Sequence, residues 1–238
     1  LKQNKITFNP KKHEYKYGNQ KFISATTLIK NYFAEFDEKE VARKVNKIPK
    51  SPFYKIGIRK ILKQWKDNRE EGTQVHQQIC DYFTKSIEPT HIKAQKICNY
   101  IKNSDIFKKE NKEIMSEMII YDTDYKVAGM VDFIMKIGNK VIIIDFKTNK
   151  KIYDNGYGKK AKHPVEHIED CNLNHYTLQL SLYNYILRKS TFSDASFKLL
   201  ILHIPDNSEV IRYEVPFLEK EIENILNDWR RRENEETK

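Results

Sequence analysis

Apolar residues recur every second position between Glu113 and Phe146, and at the helical period of about 3.6 on either side of that stretch. The alternating part predicts three strands, Glu113 to Tyr121, Lys126 to Lys136 and Lys140 to Phe146. Ahead of it, Ile6-Thr7-Phe8 and His13 to Tyr17 flank Asn9-Pro10 as a hairpin, and Gly18-Asn19 turns the chain again. Ser24 caps a predicted helix through Phe33, and Asp37 opens a second through Val45. Pro49 and Pro52 break the pattern. Helices are then expected from about Tyr54 to Trp65, from Glu71-Gly72-Thr73 to about Thr84, and from Thr90 to about Lys102. After the strands comes a long connection with Lys150, Lys151, Lys159, Lys160, Lys162, Gly156 and Gly158, which its composition marks as mobile. A helix from about Asn174 to Arg188 follows. Strands Phe197 to Ile204 and Glu209 to Val215 are joined through Pro205-Asp206-Asn207. A charged helix from Leu218 to about Arg232 precedes a frayed tail through Lys238. Helices, three antiparallel strands, a helix and further strands imply an α/β fold, with a mixed central sheet flanked by helices. Residues 1–66 read as a hairpin and helical elaboration, and 67–238 as the core with its C-terminal helix, the whole forming one structural domain.

The turn at Gly138-Asn139 is of the kind that closes a two-residue hairpin. It sets Ile137 opposite Lys140 and, carried outward, Asp132 opposite Asp145. Side chains at opposed positions lie about 5 Å apart. Two ionised carboxylates at that spacing repel by roughly 3 kcal/mol at an effective dielectric near 20. Strands this apolar leave such a pair three remedies: a divalent cation, a shared proton or a basic partner. Lys147, two residues past Asp145 on the same face, supplies part of the third. A hard cation such as Mg²⁺ or Mn²⁺ takes oxygen ligands and retains waters, which suits two carboxylates and a phosphate oxygen. If Thr123-Asp124 closes the preceding hairpin, Glu117 opposes Met130 and joins Asp132 on its face as a third acid.

Charge adds a direction. The chain has 238 residues with 43 Lys+Arg against 33 Asp+Glu, a net charge of +10, which favours an anionic partner such as nucleic acid. Abundant Lys, Asn, Ile and Tyr also fit an AT-rich coding sequence, so charge alone decides nothing. Lys150, Lys151, Lys159 and Lys160 flank the acids and could grip phosphates, and Tyr153 and Tyr157 could stack on unpaired bases. Three widely spaced cysteines, Cys80, Cys98 and Cys171, form no C-x-x-C, which points to reduced thiols and an intracellular protein rather than a disulfide framework. No apolar run reaches the length of a membrane span. The first residue is Leu, so the start is expected to be trimmed, and no secretory signal follows it.

Two further positions stay open on pattern alone. His76 shares a helical face with Ile79, Cys80 and Phe83, where a hydrogen-bonded core histidine is the commoner outcome. Gln179 and Tyr183 lie one turn apart on a helix rich in Leu and Tyr, able to reach a phosphate or a lysine, or to bond with each other at the core edge.

Taken in order, Gly72-Thr73-Gln74-Val75-His76, Glu117, Gly129-Met130-Val131-Asp132, Ile144-Asp145-Phe146-Lys147-Thr148 and Gln179-Leu180-Ser181-Leu182-Tyr183 resemble the PD-(D/E)XK nuclease superfamily, in its RecB-like exonuclease branch. The opening hairpin followed by Ser24-Ala25-Thr26-Thr27 is loosely similar to phage, viral and mitochondrial genome-maintenance exonucleases. The resemblance implies a restriction-endonuclease-like core and a metal-dependent deoxyribonuclease, acting on single strands or ends in replication, repair or recombination. RNA as a substrate stays open. It implies His76, Asp132, Asp145 and the Phe146 backbone carbonyl as ligands of Mg²⁺ or Mn²⁺, Lys147 as the catalytic lysine, Glu117 as the upstream acid, and Gln179 and Tyr183 near the cleaved strand. Val131 stands where the family's name-giving proline would be, and no cysteines match an iron–sulfur set, so no cluster is expected. A cytoplasmic, nuclear, mitochondrial or viral-factory setting, with replication or recombination proteins as partners, fits such an activity. Oligomeric state has no signal here. The competing reading is a catalytically silent nucleic-acid-binding module on the same fold.

Overall fold

The computed structural model describes residues 6–236 apart from 11 and 207. Asn207, expected in a connection, and the last two residues of the expected frayed tail lie outside the described residues. Three short strands open the chain, β1 (Ile6–Asn9), β2 (Glu14–Tyr17) and β3 (Gln20–Ser24), paired as an antiparallel meander. Ser24 caps α1 (Ala25–Asn31), its side chain accepting from the Thr27 N–H, and α1 ends just before Tyr32 and Phe33, not at Phe33. Asp37 caps α2 (Glu38–Val45) through the N–H groups of Lys39 and Glu40.

The two helices expected either side of Glu71-Gly72-Thr73 are one. α3 (Ile58–Lys85) runs unbroken for 28 residues, and the division at 66/67 falls inside it. Gly72 costs such a helix about 1 kcal/mol relative to alanine, yet a Cβ there would come 3.0 Å from the Thr148 hydroxyl. The glycine lets α3 lie against the strand end that carries Lys147. α4 (Ile92–Asn103) is capped by His91, one residue later than the expected Thr90.

The three central strands are β4 (Lys112–Asp122), β5 (Val127–Ile137) and β6 (Lys140–Lys147). Then come α5 (Asn172–Ser190), β7 (Ser196–His203), β8 (Ile211–Val215) and α6 (Glu219–Glu236). Together the strands make one eight-stranded mixed sheet, parallel at β3–β5 and β6–β7 and antiparallel elsewhere. Helices α1, α5 and α6 cover one face and α3 and α4 the other.

β5 has an unusual set of neighbours. β4 pairs along one of its edges from Val127 to Ile137, with a break in the ladder at Asp132. The other edge is shared: β3 takes Val127 and Ala128, and β6 takes Phe133 to Ile137. Between them, Gly129 to Asp132 have no strand partner on that side among the described residues. The sheet therefore opens internally, beside the end of β6.

Side-chain alternation also inverts at this opening. Val127 and Val131 pack on the α1/α5 side, whereas Phe133 and Met135, at the same parity, pack on the α3/α4 side. In β4 the change falls at Glu117, whose φ of 52° is left-handed and costly for a residue with a Cβ.

The connection from Thr148 to Cys171, expected to be mobile, is packed. Ile152, Ala161, Val165 and Ile168 are buried in the α1/α5 core. Lys160 and Glu169 form a β-bridge, and the Lys162 N–H donates to the Tyr32 carbonyl at 2.7 Å. Four apolar residues scattered among lysines anchor what composition alone reads as solvated.

Candidate active site

Ile137 pairs with Lys140 across the Gly138-Asn139 turn, and the ladder runs outward to Phe133↔Ile144. It stops one position short of Asp132 and Asp145. The Phe146 N–H instead donates to Asp132 Oδ2 at 2.9 Å, so a carboxylate takes the place of the next backbone acceptor. Asp132 thus sits in the opening of the sheet, not as a simple cross-strand neighbour of Asp145.

Glu117 is two residues out of its expected register, which sets it at Asp132 rather than Met130: the flanking pairs are Ser116↔Phe133 and Met118↔Val131. The cause is a longer turn, in which the Asp122 carboxylate accepts from the N–H groups of Asp124 and Tyr125. A shift of two leaves the parity of the strand unchanged.

His76 approaches from α3, its Nδ1 3.4 Å from Asp132 Oδ2 and its ring edge-on to Phe146 at 5.8 Å between centroids. Ligand atoms of His76, Glu117 and Asp132 all lie within 4.8 Å of one another. Asp145 is outside that cluster and belongs to a second set. Its Oδ1 accepts from Gln179 Nε2 at 3.1 Å, and its Oδ2 lies 2.6 Å from Lys147 Nζ. Among the described residues, the buried Oδ2 faces the Lys147 ammonium and no other hydrogen-bond donor. Gln179 Nε2 also donates to the Tyr183 hydroxyl at 3.0 Å. The Tyr183 ring occupies the space above Gly129, where a Cβ would come within 2.5 Å of it.

The ionisation pattern follows from this packing. Burial pushes the Glu117 carboxyl up to about 7, with the Asp132 charge adding and His76 opposing. Burial also raises Asp145, against Lys147 and with Asp132. For Asp132, burial is outweighed by His76, Lys147 and the Phe146 N–H, which hold it below the usual carboxylate range. Burial acts to lower His76 and Lys147, but the facing aspartates prevail and raise both. Negative charge is therefore favoured at Asp132, while burial works against it at Glu117 and Asp145.

Residues that pattern reading passed over complete the surroundings. Lys147 Nζ lies 4.4 Å over the Tyr176 ring, a cation–π contact. Tyr176 lies three residues before Gln179, and extending the Gln179/Tyr183 face back one turn finds it. Lys93, buried, pairs with Asp206 at 2.7 Å and Glu71 at 3.1 Å and donates to the Thr148 carbonyl at 3.4 Å. Those partners are remote in sequence and left no local sign. Lys150, Lys151, Lys159 and Lys160 are exposed, as are Tyr153 and Tyr157.

The sequence profile of the PD-(D/E)XK nuclease superfamily matches residues 58–237. The chain belongs to this superfamily. The match begins at the first residue of α3 and takes in every acid, lysine and histidine placed above. The mixed sheet flanked by helices is the PD-(D/E)XK nuclease-like fold. Among solved structures, SSO0001 is similar over 87% of this chain and 74% of its own, at 19% identity and a TM-score of 0.37. A candidate exonuclease from Eubacterium rectale is similar over 88% and 77%, at 15% identity and a TM-score of 0.39. No curated protein matches the sequence. Among the described residues, no helix is long and apolar enough to cross a membrane.

Proposed function

We propose that this PD-(D/E)XK protein is a Mg²⁺- or Mn²⁺-dependent deoxyribonuclease, acting as an exonuclease on single-stranded DNA or DNA ends in replication, repair or recombination. The observation that carries the reading is the convergence of His76, Glu117 and Asp132 within 4.8 Å in the sheet opening, beside the Asp145–Lys147 pair.

The donor set fits a hard divalent ion. Two carboxylates and one imidazole suit Mn²⁺ well and Mg²⁺ adequately. The Oδ2 of Asp145, which faces Lys147, adds a further oxygen close by, and the backbone carbonyl of Phe146 is adjacent in sequence. His76, Glu117 and Asp132 would hold the ion, with the Asp145 carboxylate beside them. Such an ion supplies a nucleophile at neutral pH and stabilises the charge that develops on a phosphodiester.

The remaining work falls to the chain. Lys147, held between Asp145 and Tyr176, presents its ammonium to a water or a phosphate oxygen at the opening. Gln179 fixes the orientation of Asp145 and is itself fixed by Tyr183. In the metal-free chain burial pushes the Glu117 carboxyl up to about 7, so binding the ion near neutrality would displace a proton there. Lys150, Lys151, Lys159 and Lys160 contribute phosphate contacts, and Tyr153 and Tyr157 offer faces to unpaired bases.

A time course on end-labelled single- and double-stranded DNA, with free and blocked ends and with Mg²⁺, Mn²⁺ or chelator, tests the proposal. Stepwise shortening from free ends, absent with chelator and in Asp145→Ala, is expected. Binding without products assigns the chain instead to the silent module, and internal cutting of blocked substrates removes the exonuclease part.

A further inference from the structure

From Arg43 to Lys66 the chain carries nine Lys/Arg and no Asp/Glu in 24 residues, although the whole chain has 33 acids to its 43 basic residues. Lys47, Lys50, Lys55, Arg59, Lys60 and Lys63 are all exposed, and none has an ion-pair partner among the described residues. Among the described residues, Lys44 and Lys66 form ion pairs with acids, each on its own helix. Such crowding of cations without facing acids is self-repulsive, offset at Lys55 by a cation–π contact with the Tyr54 ring at 5.0 Å.

Apolar groups are interleaved with these charges. Phe36 is 65% exposed, and Tyr54, Ile48, Ile56 and Ile58 are also open to solvent. The surface is nevertheless built. Trp65 of α3 packs against Phe36 at 6.4 Å and edge-on against Phe53 at 5.8 Å. Asn46 closes the connection between α2 and α3, its carbonyl accepting from the Lys55 N–H at 3.0 Å and its Oδ1 from the Gly57 N–H at 2.9 Å. Arg69 ties α3 to Glu38 of α2 at 2.6 Å. The patch continues along the first turns of α3, the helix that also carries His76 about 27 Å further on at 1.5 Å per residue.

We propose that this face, from the α2–α3 connection along the start of α3, is a docking surface for single-stranded nucleic acid, separate from the lysines that flank the candidate active site. The inference rests on the nuclease reading only in taking α3 as the track toward the site. Unpaired cations meet phosphates, and exposed rings beside them meet base faces that a duplex hides. Charge complementarity selects the strand over an acidic protein, which would leave the rings without planar partners.

The test is binding, without cleavage, in chelator. Labelled oligonucleotides of about 6 and about 20 nucleotides, in DNA and in RNA, are titrated against the full chain and a Lys50→Gln/Lys55→Gln/Arg59→Gln/Lys63→Gln variant. A second variant, Phe36→Ala/Tyr54→Ala, removes the rings. Thermal melting verifies that both fold. The charge variant is expected to weaken binding of the long strand at least tenfold, and to flatten its salt dependence by about 2–3 in log–log slope, while the short strand is unaffected. The ring variant is expected to weaken the long single strand and spare duplex. Equal affinity and equal salt slope in the charge variant overturn the proposal. So does charge-dependent binding to anionic phospholipid vesicles with strand binding unchanged, which would mark a membrane surface. A chain that binds the long strand through this patch but never cuts sinks the nuclease reading and leaves the surface standing. One that cuts, with long-strand affinity unchanged in the variants, does the reverse.

Discussion

Asp132 accepts a hydrogen bond from the Phe146 N–H at 2.9 Å, which joins β5 to β6 one position beyond their last ladder pair. The carboxylate is thus a strand connector as well as a candidate ligand, and its two duties can be separated. Asp132→Asn keeps an acceptor for the N–H, whereas Asp132→Ala leaves it buried and unpaired, a cost of about 1–3 kcal/mol. Both variants should lose Mn²⁺ binding by calorimetry, and only the alanine should unfold at clearly lower urea. Equal denaturation midpoints would remove the structural half of this account.

Two glycines should respond differently to alanine. Gly129→Ala drives a Cβ to 2.5 Å from Tyr183 Cε1, and overpacking of this kind costs about 1–3 kcal/mol. Adding Tyr183→Leu should recover part of that loss. Gly72→Ala gains up to about 1 kcal/mol of helix propensity and meets only the Thr148 hydroxyl, at 3.0 Å, so its melting temperature should barely move. Thermal unfolding of the two single variants and the double variant decides the matter.

Glu117 gives a pH dependence with a definite sign. Its carboxyl is raised to about 7 from an ordinary 4.5, so between those values the folded chain holds a proton that the unfolded chain has released. Stability of the metal-free protein from this group is full below about pH 4.5 and is lost as pH rises through about 7. Glu117→Gln should therefore be more stable than the parent at pH 8, by about 1 kcal/mol once partial exposure is discounted, and show little difference at pH 5. Urea titrations at the two pH values measure this, and a difference independent of pH would contradict it.

The Lys147–Tyr176 contact predicts a ring requirement. Tyr176→Phe keeps the face over which Lys147 Nζ lies at 4.4 Å, and Tyr176→Leu removes it. A cation–π contact of about 0.5–2 kcal/mol corresponds to a roughly 2- to 30-fold loss of cleavage rate in the leucine variant, with the phenylalanine variant close to the parent. Equal rates in the two would mean that the ring merely fills space.

How much was legible depended on how local the determinants were. The Gly138-Asn139 turn fixes Ile137 against Lys140 through two residues, and the three central strands end within one residue of where alternation placed them. The β4–β5 register was off by two because Asp122 caps a longer turn and Lys126 adopts a left-handed φ of 51°, which no dipeptide signals. α3 was split in two because Gly72 reads as punctuation, when its role is close approach to Thr148. The inversion at Glu117 was invisible. A glutamate with positive φ has no mark in a sequence, and it decides which acids meet.

Backbone polar groups freed from a ladder are normally a hazard, because an outer strand with vacant hydrogen-bonding positions recruits other chains. Here the vacancy from Gly129 to Asp132 lies in the middle of the sheet, walled by α3 on one side and by α1 and α5 on the other. No second copy of the chain can add a strand there. The protein thus carries an unladdered strand segment inside its own architecture, out of reach of edge-to-edge pairing.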